Sequence, residues 1–186
     1  WLKKAENAQR SKDTTLAGQC LAHAAEVQPV SGRALVQLAS WLAPGGRDPA
    51  RSEKLALRAV QAEPWRTGGW QVLASLYSFQ GRFAELDDVL QRSEAAEPTH
   101  LAAWYQAGRQ LVVDRKDPAR AERYLRHYLT LEPEIGAQSW ASARWRLALA
   151  LEQQGKKSEA IAELDSALKL DPKFEGAKKD RKRLRG

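Results

Sequence analysis

The histidines and the single cysteine are the side chains in this sequence best suited to acid–base, nucleophilic or metal chemistry. His23, His100 and His127 are far apart along the chain, and no two have the spacing of metal ligands on one helix. Cys20 is the only cysteine, which excludes an intramolecular disulfide and a cysteine-based zinc site. We interpret these residues as structural, and we predict no metal and no cofactor.

Sequence motifs of known enzymes are also missing. The chain has no H-E-x-x-H, G-x-S-x-G, C-x-x-C or dinucleotide-binding glycine pattern. The stretch Gly155-Lys156-Lys157-Ser158 is superficially similar to a phosphate-binding loop, but it lacks the leading glycine and falls between two predicted helices rather than after a strand. We therefore predict that the chain is not an enzyme and has no small-molecule substrate.

The composition is typical of a folded globular protein rather than a disordered or membrane-spanning one. Of its 186 residues, 43% are hydrophobic and 28% charged, and the net charge of +7 is small for this length, so disorder of the whole chain is excluded. No apolar run is long enough to span a membrane. The chain has seven Trp and no Met, and it begins at Trp1. We expect it to be a fragment of a longer protein.

Prolines recur along the chain at a nearly constant interval. The spacings are 35, 34, 35 and 39 residues, between Pro29, Pro64, Pro98, Pro133 and Pro172. Each proline follows an amphipathic stretch, and these stretches predict helices over residues 15–28, 49–63, 83–97, 118–132 and 158–171. A period of this size is typical of arrays built from helical repeats.

Each repeat is predicted to contain two antiparallel helices. In the third, a helix over 69–79 is followed by a turn at Gly81 and a second helix over 83–96. The last repeat has the same plan, with helices over 145–154 and 158–170 on either side of Gly155. Asp48 and Asp117 each precede a proline at a predicted helix start, the arrangement of an N-cap with proline in the first turn.

The repeats resemble the tetratricopeptide repeat (TPR) family. The matching patterns are Trp70-x-x-Leu73-Ala74-x-x-Tyr77, Trp104-x-x-Ala107-Gly108-x-x-Leu111 and Leu147-Ala148-x-x-Leu151. The resemblance implies an all-α fold, a right-handed superhelical solenoid of antiparallel helix pairs. It implies one domain over 1–186, with units at about 1–30, 31–65, 66–99, 100–135 and 136–173 and a capping helix over about 174–185.

The resemblance also implies a concave groove lined by the first helix of each unit. We expect apolar and aromatic anchors at Val36, Tyr105 and Trp145 and cationic groups at Arg33 and Arg109, which suit a peptide that carries an acidic residue. The alternative is that these are solvated inner-face residues and that a partner binds elsewhere. The candidate groove residues are Arg33, Val36, Gln71, Ser75, Tyr105, Arg109, Trp145 and Leu149.

Most of the net positive charge lies at the C-terminus. Residues 173–186 contain seven basic and two acidic residues. Such a helix could contact nucleic acid, an acidic partner or an anionic membrane surface. We favour a solubilising outer face of the capping helix, and we do not expect nucleic-acid binding. The candidate basic patch consists of Lys178, Lys179, Arg181, Lys182 and Arg183.

Together these patterns predict a non-catalytic scaffold or adaptor. It would bind a protein or peptide segment in the groove and support the assembly of a multiprotein complex. An alternative is a regulatory or assembly module appended to an enzyme or a membrane-anchored protein. Binding of an anionic partner or nucleic acid through the basic helix is a weaker alternative. A single free cysteine suits the cytoplasm and the bacterial periplasm equally.

Overall fold

The computed structural model describes residues 1–27, 31–43, 47–132 and 138–186, and these residues form α-helices and no strand. This confirms the all-α class. The helices are α1 (Leu2–Arg10), α2 (Thr14–Glu26), α3 (Gly32–Leu42), α4 (Pro49–Ala62), α5 (Thr67–Gln80), α6 (Phe83–Ala96), α7 (Ala102–Asp114), α8 (Pro118–Tyr128), α9 (Trp140–Gln153), α10 (Lys157–Leu170) and α11 (Glu175–Arg185).

The local signals at helix ends behave as the sequence predicts. The side chain of Asp48 accepts a hydrogen bond from the Arg51 amide at 2.9 Å, so it caps α4. Asp117 caps α8 in the same way. Gly81 and Gly155 follow α5 and α9 with φ of 72° and 77°, a backbone conformation that costs other residues more than glycine.

Two helix boundaries differ from the prediction by more than two residues. Helix α9 begins at Trp140 rather than at residue 145, because Ser139 acts as its N-cap and accepts a hydrogen bond from the Ser142 amide at 3.2 Å. Helix α8 ends at Tyr128, four residues before the predicted end at 132. Pro29 and Pro133, which the repeat spacing uses, lie outside the described residues.

The chain divides into two compact units, Trp1–Leu76 and Tyr77–Gly186. In the first unit, α1 packs on α2 and α3 packs on α4. Its core combines leucines with small residues that let the helices approach. A Cβ on Gly69 would lie 2.6 Å from Val60 Cγ1, so this approach of α5 to α4 requires glycine. Buried residues of this core include Ala17, Leu21, Leu35, Ala39, Leu55 and Ala56.

The second unit repeats the plan with α7 on α8, α9 on α10 and α11 on α10. Gly108 occupies the small position of the TPR-like pattern, and a Cβ there would lie 2.7 Å from Leu125 Cγ. Adjacent pairs are also joined by polar contacts: the Tyr124 hydroxyl on α8 donates to Asp87 on α6. Fully buried leucines of this unit include Leu86, Leu90, Leu111, Leu147, Leu151 and Leu164.

Candidate functional site

In the first unit, the candidate groove residues lie on α3 and α5. Arg33 is exposed, and its Nη2 lies 3.7 Å from Glu6 Oε1 on α1. Val36 is half-buried against the start of α5, where a Cβ on Gly68 would lie 3.0 Å from Val36 Cγ1. The structure thus brings Arg33 next to α1 and Val36 next to α5.

Two further candidates of this unit lie on α5. Gln71 is half-buried, and its Nε2 donates to Thr67 Oγ1 at 3.4 Å, one helical turn earlier. Ser75 is half-buried and lies one turn beyond Gln71 on the same helix. Both are therefore polar, partly accessible positions on one face of α5.

Tyr105, the central candidate of the second unit, is a packing residue. Only 5% of it is exposed. Its hydroxyl lies 3.1 Å from Ser142 Oγ on α9, and its ring centroid lies 5.2 Å from that of Tyr128 on α8. The sequence predicts Tyr105 as an anchor for a partner, whereas in the structure its ring joins three helices of the chain itself.

Trp145 is also held within the chain. Its indole Nε1 donates to Asp180 Oδ2 at 2.8 Å, and its ring centroid lies 5.2 Å from that of Phe174. A Cβ on Gly176 would lie 3.2 Å from the indole, so the start of α11 sits directly against the ring. The sequence predicts Trp145 as an aromatic anchor for a partner; in the structure the ring is half-buried and the start of α11 covers part of it.

One rule relates these three contacts. The TPR-like pattern begins with a Trp, which is Trp104 in one repeat and is replaced by Leu35 and by Arg144 in two others. Val36, Tyr105 and Trp145 are the residues that directly follow this position. In each case the side chain packs against a small residue at the start of the next first helix. The sequence did not reveal this pairing because the two partners are 31 to 37 residues apart. The pairs are Val36 with Gly68, Tyr105 with Ser142, and Trp145 with Gly176.

The remaining candidates, Arg109 and Leu149, are half-buried and accessible. Arg109 makes no hydrogen bond or ion pair within the described parts of the chain. Arg146 on α9 is a candidate that the sequence analysis missed. Its guanidinium lies 4.2 Å from the Trp145 ring centroid. Its Nε is buried without a hydrogen-bond partner. The sequence signal that could have identified Arg146 is its spacing of four residues from Ser142 and three from Leu149, which places all three on one face of the helix.

Three of the six basic residues of α11 form ion pairs with α9 or α10, namely Arg181, Arg183 and Arg185. Lys179 and Lys182 are exposed and have no ion-pair partner among the described residues. The other three candidates of the basic patch are paired, so less of the charge is free than the sequence suggests. The pairs are Lys178 with Glu175 at 2.7 Å, Arg181 with Asp165 at 3.1 Å, and Arg183 with both Glu152 and Asp180.

Glu122 on α8 is a carboxyl group surrounded by several hydrogen-bond donors. Burial alone would raise the pKa of this carboxyl group, but hydrogen bonds from Lys156, Gln154 and Arg126 lower it to about 2. Lys156 and Gln154 belong to the turn between α9 and α10, so Glu122 joins two successive helix pairs. The Glu122 carboxylate therefore has a structural role. Because its pKa is so low, it is poorly suited to accept a proton near neutral pH.

Two classes of site are missing from the described residues. They contain no group of three or more His, Cys, Asp or Glu side chains that could hold a metal ion. None of the described helices has the length and apolar character needed to cross a membrane.

Comparisons with known proteins identify the fold. Residues 141–174 match the family model of the tetratricopeptide repeat. TTC0263, a thermophilic TPR protein of Thermus thermophilus, is 21% identical, with a TM-score of 0.70 over 98% of this chain and 96% of that chain. A tetratricopeptide repeat protein of Parabacteroides merdae is 17% identical, with a TM-score of 0.63 over 98% of this chain and 70% of that chain.

A third similar structure is PilW, described as a type IV pilus biogenesis factor. It is 19% identical, with a TM-score of 0.59 over 82% of this chain and 68% of that chain. No match was found among curated proteins. The repeat model falls on α9, α10 and the following turn. These findings show a protein with the tetratricopeptide repeat fold, whose residues 141–174 carry the sequence pattern of that family.

Proposed function

We propose that the chain is a non-catalytic module that binds a protein or peptide segment on the face formed by the first helices of its repeats. The fold supports this proposal because stacked helix pairs present a preorganised surface, which loses little conformational entropy on binding. A similar structure, PilW, is described as a biogenesis factor, which is consistent with a role in assembling other proteins.

The proposal rests on the accessibility of two side chains on α7 and α9. Arg109 and Leu149 are half-buried and accessible, although Tyr105 and Trp145 beside them are used for packing. Half-buried side chains in a helix-lined surface lose less entropy when a ligand covers them than fully exposed ones do. In the first unit, Arg33, Gln71 and Ser75 are the accessible counterparts.

The proposal is tested by selecting peptides from a random dodecapeptide display library against the full chain. The dissociation constants of the selected peptides are then measured by fluorescence anisotropy. Leu149→Ser should weaken binding by about tenfold, since the apolar contact with the ligand is removed. Circular dichroism of each variant establishes that the fold is retained.

Leu170→Ser is the matched control. Leu170 is 50% exposed and lies at the end of α10, a second helix of a repeat. This substitution makes the same chemical change outside the proposed face and should leave the affinity unchanged. Equal affinities for both variants and the wild type, or no enrichment of any peptide, would contradict the proposed function.

A further inference from the structure

Two half-buried arginines of the second unit differ from its other half-buried arginines in having no acidic partner among the described residues. The unit has six half-buried arginines. Four of them pair with a carboxylate, whereas Arg109 and Arg146 pair with none of the described residues. The four pairs are Arg82 with Glu85, Arg120 with Asp87, Arg144 with Glu163, and Arg181 with Asp165.

Arg146 is incompletely satisfied by the protein itself. Its guanidinium stacks on the Trp145 ring at 4.2 Å, and its Nε is buried without a hydrogen-bond partner. A buried donor without a partner costs about 1–3 kcal/mol. Stacking on one face leaves the outer edge of a guanidinium free to donate to an anion. Arg146 is therefore held in place by Trp145 with donors to spare.

The contacts between α7 and α9 place the two arginines on neighbouring turns of these helices. The Tyr105 hydroxyl lies 3.1 Å from Ser142 Oγ, and Gln153 Nε2 on α9 donates to the Val112 carbonyl oxygen at 2.9 Å. Arg109 lies four residues, or one helical turn, after Tyr105 on α7, and Arg146 lies one turn after Ser142 on α9. Both arginines therefore lie between the Tyr105–Ser142 contact and the Val112–Gln153 contact.

The acidic side chains closest to this pair along the helices already have partners. Glu152 on α9 binds Arg183, and Asp180 on α11 accepts the hydrogen bond of the Trp145 indole. Asp114 on α7 accepts a hydrogen bond from Gln110 at 3.0 Å. Two cations on neighbouring turns of α7 and α9, without a counter-charge among the described residues, favour an external anion, because its carboxylate could accept hydrogen bonds from both guanidinium groups.

Two exposed apolar side chains lie toward the C-terminal ends of α5 and α7. Val113 follows Arg109 by one helical turn and is 54% exposed. Phe79 is 52% exposed on the last turn of α5. Lys116, just after α7, connects the ends of these two helices, since its Nζ donates to the Phe79 carbonyl oxygen and lies 5.1 Å from the centroid of the Phe79 ring. A ligand with an anionic group and an adjacent apolar side chain would match this surface.

We propose that Arg109 and Arg146 form an anion subsite that binds the carboxylate of an Asp or Glu side chain in a peptide segment of a partner protein. An apolar residue next to that acid would contact Phe79 and Val113. The inference rests on the proposed function, and it specifies the chemistry of the segment bound on the second unit.

The subsite is tested with the peptides selected from the display library, synthesised with a fluorescent label. Selected sequences should be enriched in Asp or Glu. Replacing the acidic residue by Gln or Asn, Arg109→Gln, and Arg146→Gln should each weaken binding about tenfold or more. In a double-mutant cycle, Arg146→Gln should cost little further once the acid in the peptide has been replaced.

The controls separate this inference from the proposed function. Arg92→Gln removes an exposed arginine of α6 that pairs with Asp88, and it should leave the affinity unchanged. A peptide with an amidated C-terminus should bind as well as the free acid; loss of binding on amidation would assign the subsite to a terminal carboxylate and overturn the side-chain assignment.

Peptides that respond to Leu149→Ser but not to either arginine substitution would overturn the subsite and leave the proposed function standing. Peptides that respond to neither would overturn both.

Discussion

At the scale of single residues, Gly108 shows how closely two helices of one repeat approach. A Cβ at this position would lie 2.7 Å from Leu125 Cγ and 3.3 Å from the Ala121 carbonyl oxygen. Gly108→Ala should stabilise an isolated helix by about 1 kcal/mol. In this fold we expect a net loss of about 1–2 kcal/mol in the free energy of unfolding, because overpacking outweighs the helix propensity. Urea denaturation measures the change.

The Leu125→Ala background provides the decisive comparison for Gly108. Removing the Leu125 side chain frees the space that a Cβ at residue 108 would need. In that background, Gly108→Ala should become neutral or stabilising. A loss of the same size in both backgrounds would show that the contact with Leu125 is not its cause.

Glu122 should make stability depend on pH over an acidic range. Its pKa is about 2 in the folded chain, against a normal value of 4.5. The folded state therefore binds a proton less readily than the unfolded state, and the stabilisation is fully present above about pH 4.5 and is lost as the pH falls toward 2. Urea midpoints of the wild type and Glu122→Gln should differ at pH 7, and the difference should shrink steadily as the pH falls below 4.5 toward 2.

Glu175→Gln serves as the control for this titration. The Glu175 side chain is 83% exposed and pairs with Lys178 on the surface, so its removal should change stability little. A constant difference between the wild type and Glu122→Gln from pH 7 to pH 3 would contradict the role assigned to Glu122.

At the scale of secondary-structure elements, α11 is held mainly by polar contacts. Only Ala177 and Leu184 are buried in this helix. The hydrogen bond from Trp145 to Asp180 and the ion pairs of Arg181 and Arg183 add polar contacts with α9 and α10. Trp145→Phe keeps an aromatic ring against Phe174 but removes the indole donor. We expect amide exchange in α11 to accelerate several-fold, while exchange in α3 is unchanged.

Trp140→Phe is the matched control for α11. It removes another indole hydrogen bond, from Trp140 Nε1 to the Leu131 carbonyl oxygen, at the start of α9. Amide exchange in α11 should not respond to it. If both substitutions accelerated exchange in α11 equally, the hydrogen bond to Asp180 would not be what retains the helix.

The sequence predicted these elements better than it predicted the surface they form. Capping aspartates and turn glycines act locally, so α4, α6 and α10 begin and end within one residue of the predicted positions. Accessibility at Tyr105 and Trp145 depends on Ser142 and on α11, far away in the chain. The pattern therefore placed these side chains on the correct helices but did not reveal that other helices cover them.

At the scale of the whole molecule, each unit has its own buried core. Leu35 in the first unit and Leu151 in the second are both at most 1% exposed. Replacing either by Ala should cost about 2–5 kcal/mol. In repeat folds stability comes mainly from a repeat and its neighbours. Hydrogen exchange should therefore show that Leu151→Ala lowers protection in α9 and α10 and spares α2 and α3. A uniform loss of protection would indicate a single cooperative transition instead.

The pairs formed by Val36 with Gly68, Tyr105 with Ser142 and Trp145 with Gly176 limit how repeats can be exchanged. In α3, α7 and α9, the side chain is matched in size to a small residue at the start of α5, α9 and α11, respectively. If the blocks α7–α8 and α9–α10 traded places, the Trp145 indole would lose the space that Gly176 leaves for it, and Tyr105 would lose the Ser142 hydroxyl. The repeats share one plan, but their order in the chain is fixed by these matched surfaces.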